Sequence, residues 1–236
     1  MGCTPLKKAG MMHRCLQAMH RQFRSQPELP VLLLLLLLVN ASLLHGAAPQ
    51  PWILFMGEFP GQWWRFLTHP LAHTSIYHLL LDAGAFLSLY IALKGRLWQR
   101  LELLAVSAGG SLAAALLTTP ELGRIGFCGL SGVGHGLMAA IALQLCGSNL
   151  RPTRRIGALT LALTVLKAGI EAVTGSVVLA GLHAGDVGVP IAACHAGGLL
   201  GGVLWAVHMQ LSRAIRVSAP TRLQTDACVD YPALSH

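Results

Sequence analysis

The sequence predicts an all-α membrane protein, a bundle of six transmembrane helices with both termini in the cytoplasm. Three observations carry that prediction. Only 11% of the 236 residues are charged and 54% are hydrophobic, with a mean hydropathy of +0.59, whereas a soluble domain carries about 25% charge. Six apolar segments, 30–48, 75–93, 101–118, 128–146, 156–178 and 189–211, each approach the roughly 20 residues that span a hydrocarbon core. With the N-terminus inside, fourteen of the seventeen Lys and Arg fall on cytoplasmic segments, as the positive-inside rule requires. Arg65 and Arg124 lie outside and Lys167 lies within a span. The net charge of +8 thus reads as topology, and no nucleic-acid partner is expected.

Residues 1–29 form a basic cytoplasmic tail, with Lys7, Lys8, Arg14, Arg21 and Arg24 against Glu28. The membrane domain occupies 30–211. Its first segment, Pro30 to Ala48, has a leucine core and ends in Gly46-Ala47-Ala48, so it resembles both an anchor and a signal peptide. A retained span is favoured, because the tail is long and the topology needs a first crossing. Loop 49–74 holds Trp52, Trp63 and Trp64, whose amphipathic rings suit the membrane interface. Short basic strings (Lys94 to Arg100, Arg151 to Arg155) join later spans on the cytoplasmic side. A polar cytoplasmic tail, 212–236, closes the chain. The six cysteines show no CxxC or zinc spacing and read as small apolar residues.

The polar residues inside the spans are the functional signal. Ser131 lies between Gly129 and Gly132 at the outer start of the fourth segment, where it reads either as a small-residue packing face or as an uncovered nucleophile. At helical rise it sits roughly 5–8 Å below the outer boundary. His195 lies roughly 9 Å into the last segment by the same count, and His78 and Asp82 lie at similar depth in the second. Imidazole and carboxylate groups in a span are costly unless they face the bundle interior or a water-filled cavity. Their convergence on one layer therefore predicts a common site. Lys167 and Glu171, four apart on the fifth segment, are expected to form a structural ion pair. His73, His78 and His195 could ligate a metal, but no HExxH spacing accompanies them, and no cofactor or metal is expected.

These residues also carry a family resemblance, which covers essentially all six segments. Gly129-Leu130-Ser131-Gly132 resembles the GxSG nucleophile motif of rhomboid intramembrane serine proteases. His195-Ala196-Gly197-Gly198-Leu199-Leu200-Gly201-Gly202 resembles their HxxGxxxG base motif, and Trp63-Trp64-Arg65 resembles their Trp-Arg loop. His73, His78 and Asp82 fall where that family's second-helix polar residues fall. The compact form, with His135 in Ser131-Gly132-xx-His135-Gly136, is most similar to the rhombosortase branch.

The resemblance implies a serine endopeptidase with Ser131 as nucleophile and His195 as base. A serine hydroxyl needs a neighbouring base to attack an amide. No carboxylate is evident in the sequence as an orienter of His195, so a Ser–His dyad is expected. Gly198 and Gly202, one and two turns below His195, should let the two helices approach. His135, one turn after Ser131, is expected to support His195, or to serve as the base itself. The backbone N–H of Ser131 and the side chains of His78 and residue 82 would face the developing oxyanion. Rhomboids commonly have Asn where this chain has Asp82. That departure leaves Asp82 as a protonated donor, a partner holding His78, or a packing residue.

The branch resemblance further implies lipid-embedded, membrane-anchored substrates with a C-terminal sorting tail of the GlyGly type. Cleavage would occur near the outer face of a bacterial inner membrane, with transfer to an amine as an alternative to hydrolysis. Two other classes stay open from the residues alone. One is a transporter or channel relaying through His, Lys and Glu; the other is an inactive rhomboid-like binding protein.

Overall fold

A computed structural model of the chain describes residues 25–58, 60–178 and 180–218. The basic tail as far as residue 24 and the polar tail from 219 lie outside the described residues. Six helices of twelve residues or more follow in order: α1 Glu28–Val39, α2 Ile76–Ala92, α3 Leu97–Thr118, α4 Ser131–Cys146, α5 Arg151–Thr174 and α6 Ala193–Ser218. Among the described residues the only β pairing is an isolated bridge between Leu54 and Phe127.

Helix ends differ from the sequence segments for local reasons. Pro152 is compatible with the first turn of α5, so that helix begins inside the Arg151–Arg155 string, and Gly175 at φ 69° ends it. Ser75 caps α2, accepting from His78 N–H at 3.0 Å. Helix α6 continues to Ser218, past the boundary expected at 211.

Three helical stretches among the described residues are long and apolar enough to cross a membrane: Glu28–His45, Leu97–Thr118 and Arg151–Thr174. A fourth is counted if Arg65–Leu71 and Ile76–Ala92, which meet at 90°, are one broken span. The remaining two fall below that measure for different reasons, α4 by length and α6 by composition. Helix α4 has only 16 residues, and α6 interleaves glycine and histidine with its leucines. Leucines and valines line the outer faces of α1 and α5, where Leu37 and Leu38, and Leu159, Leu163 and Val173, are exposed. Such faces are stable against lipid rather than water.

Helix α4 is the hub, packing on α2, α3, α5 and α6, while α6 packs on α3, α4 and α5. Glycine permits the closest of these approaches. A Cβ at Gly198 would overlap the carbonyl of Gly132, and one at Gly202 that of Gly136.

Helix α1 is tied to the bundle at both ends. Glu28 Oε1 accepts from Tyr90 Oη at 2.7 Å and from Arg100 Nε at 2.6 Å, joining α1 to α2 and α3. At the other end Asn40 Nδ2 donates to Leu71 O at 2.6 Å, and Asn40 Oδ1 accepts from His73 N at 2.9 Å. Removing one partner of a buried pair leaves the other charge uncompensated. Arg100→Ala should therefore destabilise the fold by roughly 3 kcal/mol, measured by thermal unfolding in detergent. Adding Glu28→Gln to that variant should restore part of the loss.

Candidate active site

Ser131 is the first residue of α4, at the end of a turn held from several sides. Phe127 N–H donates to Leu54 O at 2.8 Å, Gly129 N–H to His69 O at 3.1 Å and Leu130 N–H to Asp82 Oδ2 at 2.8 Å. Gly129 takes φ +103°, and a Cβ there would lie 3.0 Å from His78 Nε2 and 3.1 Å from Asp82 Oδ2. Position 129 therefore requires glycine for backbone conformation and for space. A Cβ at Gly132 would overlap Ser111 Oγ. The two glycines beside the serine thus hold its turn against α2 and α3. The first-turn N–H groups of α4 lack intrahelical acceptors and form the positive end of the helix dipole.

On α6, the third residue is His195, itself buried. Its Nδ1 lies 2.7 Å from Glu171 Oε2. Glu171 is fully buried near the C-terminal end of α5, and its Oε1 also accepts from Lys167 Nζ at 2.6 Å and Val178 N–H at 2.9 Å. This corrects the sequence reading, in which no carboxylate was evident beside His195 and Lys167–Glu171 was an ion pair for structure alone. The pair forms, and its carboxylate reaches across to the histidine. A carboxylate only accepts, so His195 Nδ1 carries the hydrogen and Nε2 keeps the lone pair.

The rings of His135 and His195 stack with centroids 4.2 Å apart and planes 16° from parallel. His135 Nδ1 donates to Ser131 O at 2.7 Å, and its Nε2 accepts from Lys167 Nζ at 3.2 Å. Both nitrogens of His135 are therefore engaged.

Ser131 Oγ is not bonded to His195. Among the described residues its side-chain partner is Cys194 Sγ, at 3.8 Å. Cys194 is thus a neighbour of the hydroxyl, not only a small apolar residue in its layer.

The second-helix residues form a separate group. Asp82 Oδ2 stands 3.4 Å from His78 Nε2 and 3.5 Å from His73 Nε2. The grouping of His73 and His78 with His195 is therefore corrected. His73 and His78 meet Asp82, while His195 meets His135 and Glu171. Asp82 acts as an acceptor towards Leu130 N–H, which is the behaviour of a carboxylate rather than of a donor.

Beside Ser131 opens a cavity of about 370 Å³. Leu81, Ala85 and Leu89 of α2 form one wall, and Leu163, Thr164 and Lys167 of α5 the other. Ser131, Gly134, His135 and Met138 of α4 form its floor. It is a mostly apolar cleft between two helices with a hydroxyl and an ammonium at one end.

The family model described as Rhomboid domain matches residues 60–211, which contain the turn, both histidine groups and the cleft. No curated protein matches the chain.

Proposed function

The chain belongs to the rhomboid family of intramembrane proteases, and on that premise we propose that Ser131 and His195 are its reacting pair, with Glu171 as orienter. The family acts on membrane-protein substrates within the bilayer, and the apolar helices make this chain an integral membrane protein. The observation that carries the residue assignment is the 2.7 Å contact of His195 Nδ1 with buried Glu171. It holds the imidazole in the tautomer whose Nε2 is a base.

In this reading a substrate helix unwinds into the cleft between α2 and α5. Rotation of Ser131 about χ1 from one staggered well to another takes Oγ from Cys194 towards His195. Oγ attacks the scissile carbonyl carbon while His195 Nε2 takes its proton. The oxyanion is met by N–H groups in the first turn of α4 and by His78. As the tetrahedral intermediate collapses, the C–N bond breaks and His195 returns the proton to the leaving amine. Water or a second amine then attacks the ester, giving its proton to His195, and Ser131 leaves with that proton. His135 packs against the base and Gly129 leaves room for His78. Asp82 holds His78 and the Leu130 N–H, a role supported by its acceptor contacts.

The topology we propose is six crossings with cytoplasmic termini and a retained α1. The Lys/Arg asymmetry supports it, as do the bonds of Glu28 and Asn40 to the rest of the bundle. That topology puts Ser131 near the outer face of a bacterial inner membrane. The similarity of the Ser131–His135 stretch to rhombosortases supports substrates with C-terminal GlyGly-type sorting tails.

A fluorophosphonate probe tests the nucleophile directly. Purified wild-type protein should become labelled at Ser131, as read by peptide mass spectrometry, and lose labelling on heating. Labelling elsewhere, or none under conditions that label a soluble serine hydrolase, would remove Ser131 from the role. Cleavage of a reconstituted substrate ending in a GlyGly-type tail tests the substrate class, and the mass of the product separates hydrolysis from amine transfer.

A further inference from the structure

Among the described residues there are two clusters of metal-competent side chains, His73–His78–Asp82 and His135–Glu171–His195, each with its ligand atoms within 4.8 Å of one another. Only the first lacks a cation of its own. In the second, the Lys167 ammonium already sits 2.6 Å from Glu171 and 3.2 Å from His135. A metal there would have to displace it or be repelled by it.

In the first cluster the hydrogen positions leave a conflict. His73 is fully buried and its Nδ1 is 3.1 Å from Leu71 O. A carbonyl only accepts, so Nδ1 carries the hydrogen and the neutral ring turns a bare Nε2 towards the cluster. That Nε2 has no hydrogen-bond partner, and the nearest carboxylate oxygen, Asp82 Oδ2, is 3.5 Å away. A lone pair facing an anionic oxygen in a buried site calls for a positive charge between them, either a proton on Nε2 or a metal cation. His78 presents Nε2 to the same oxygen at 3.4 Å; its Nδ1 accepts from the Thr74 N–H at 3.5 Å and lies 3.2 Å from Thr74 Oγ1. The neutral ring therefore carries its hydrogen on Nε2 until a metal takes that nitrogen and the hydrogen moves to Nδ1, where Thr74 Oγ1 can accept it. His73 has the arrangement of a metal-binding histidine, with one nitrogen free and the other held by an outer oxygen, and His78 reaches it by that change of tautomer.

The spacing agrees. Ligand atoms about 2.0–2.1 Å from a tetrahedral zinc lie about 3.3–3.4 Å from one another, close to the two nitrogen–oxygen separations. Asp82 also lines the cavity between α2 and α5, so the cluster borders an open space through which an ion could reach it.

We infer that His73 Nε2, His78 Nε2 and Asp82 Oδ2 form a three-ligand site for a divalent transition cation of the zinc class. Occupancy silences the protease. With its Nε2 lone pair on the metal, His78 has no N–H to offer an oxyanion. The Thr74 hydroxyl can turn to donate to Nδ1 when the metal leaves, which returns the Nε2–H tautomer. The silencing rests on the proposed catalytic reading, while the binding does not.

The test therefore reads the metal itself. Protein prepared without a histidine tag, stripped with chelator and held in detergent, is titrated with Co²⁺ and then with Zn²⁺. Wild type and His195→Ala should each take one equivalent, with the visible absorption of tetrahedral cobalt, bleached by zinc. His73→Ala and Asp82→Asn should each weaken binding by 10-fold or more. Absence of the cobalt bands in wild type would overturn the site. So would their loss in His195→Ala, or their survival at full affinity in both cluster variants. Peptidase assays with and without one equivalent of Zn²⁺ test the silencing. Full activity of the zinc-loaded protein would overturn that step alone, and a chain that cleaves nothing would still be judged by its cobalt spectrum.

Discussion

Glu171→Gln should lower kcat by about 10³–10⁴-fold with KM little changed, while Ser131→Ala and His195→Ala reduce cleavage to background. Glu171 Oε2 is 2.7 Å from His195 Nδ1, and a carboxylate there accepts the Nδ1 hydrogen and stabilises the imidazolium formed during attack. An amide of the same size can turn its NH₂ to Nδ1, which stabilises the tautomer with the hydrogen on Nε2, the nitrogen that must act as base. The Lys167 bond, 2.6 Å, compensates the buried carboxylate in wild type. In the variant it leaves an ammonium facing a neutral group, so some stability should be lost as well. Three readouts separate chemistry from folding: the fluorophosphonate labelling rate, the thermal midpoint and the pH profile of kcat. A variant retaining more than a tenth of wild-type kcat at an unchanged thermal midpoint would end the orienting role of Glu171.

How far this site was legible in the sequence depends on what each residue type advertises. Ser131 and His195 stand in glycine patterns whose spacing has a steric reason, now visible as the backbone contacts of Gly132 with Gly198 and of Gly136 with Gly202. The positive-inside count gave an expected orientation and with it a depth comparison. Glu171 was missed although the same comparison would have found it. It lies three residues before the end of α5, at the end opposite the Arg151–Arg155 string that the sequence reading placed in the cytoplasm. The Lys167 four residues earlier offered a sufficient local partner, and helical spacing gives no sign that a carboxylate has its second oxygen on another helix. The division of the histidines was out of reach for a related reason. Depth along a helix is readable from sequence, but the azimuth that sends His73 to Asp82 and His195 to Glu171 is decided by packing. Apolar length does not decide α4 and α6, since α4 has 16 residues and α6 interleaves glycine and histidine with its leucines.

Gly198→Ala should be the most damaging single-methyl change in the protein, and Gly109→Ala nearly silent. A Cβ at 198 overlaps the carbonyl of Gly132, whereas one at 109 meets nothing within 4 Å. The obstruction at 198 is backbone, which no rotamer change can move aside, so α6 must back away from α4. The cost should fall within about 1–3 kcal/mol, the usual range for overpacking, against about 0.5 kcal/mol or less for an exposed surface position. Activity should fall further than stability does. Gly132 directly follows Ser131, and Gly198 lies one turn from His195, so the displacement widens the gap between the proposed nucleophile and the proposed base. Misplacement of reacting groups by about 1 Å can cost about 10²-fold in rate. Thermal unfolding in detergent and fluorophosphonate labelling of the two variants, run side by side, make the comparison. If Gly198→Ala matched Gly109→Ala in both, close approach of α4 and α6 would not be what brings serine and histidine together.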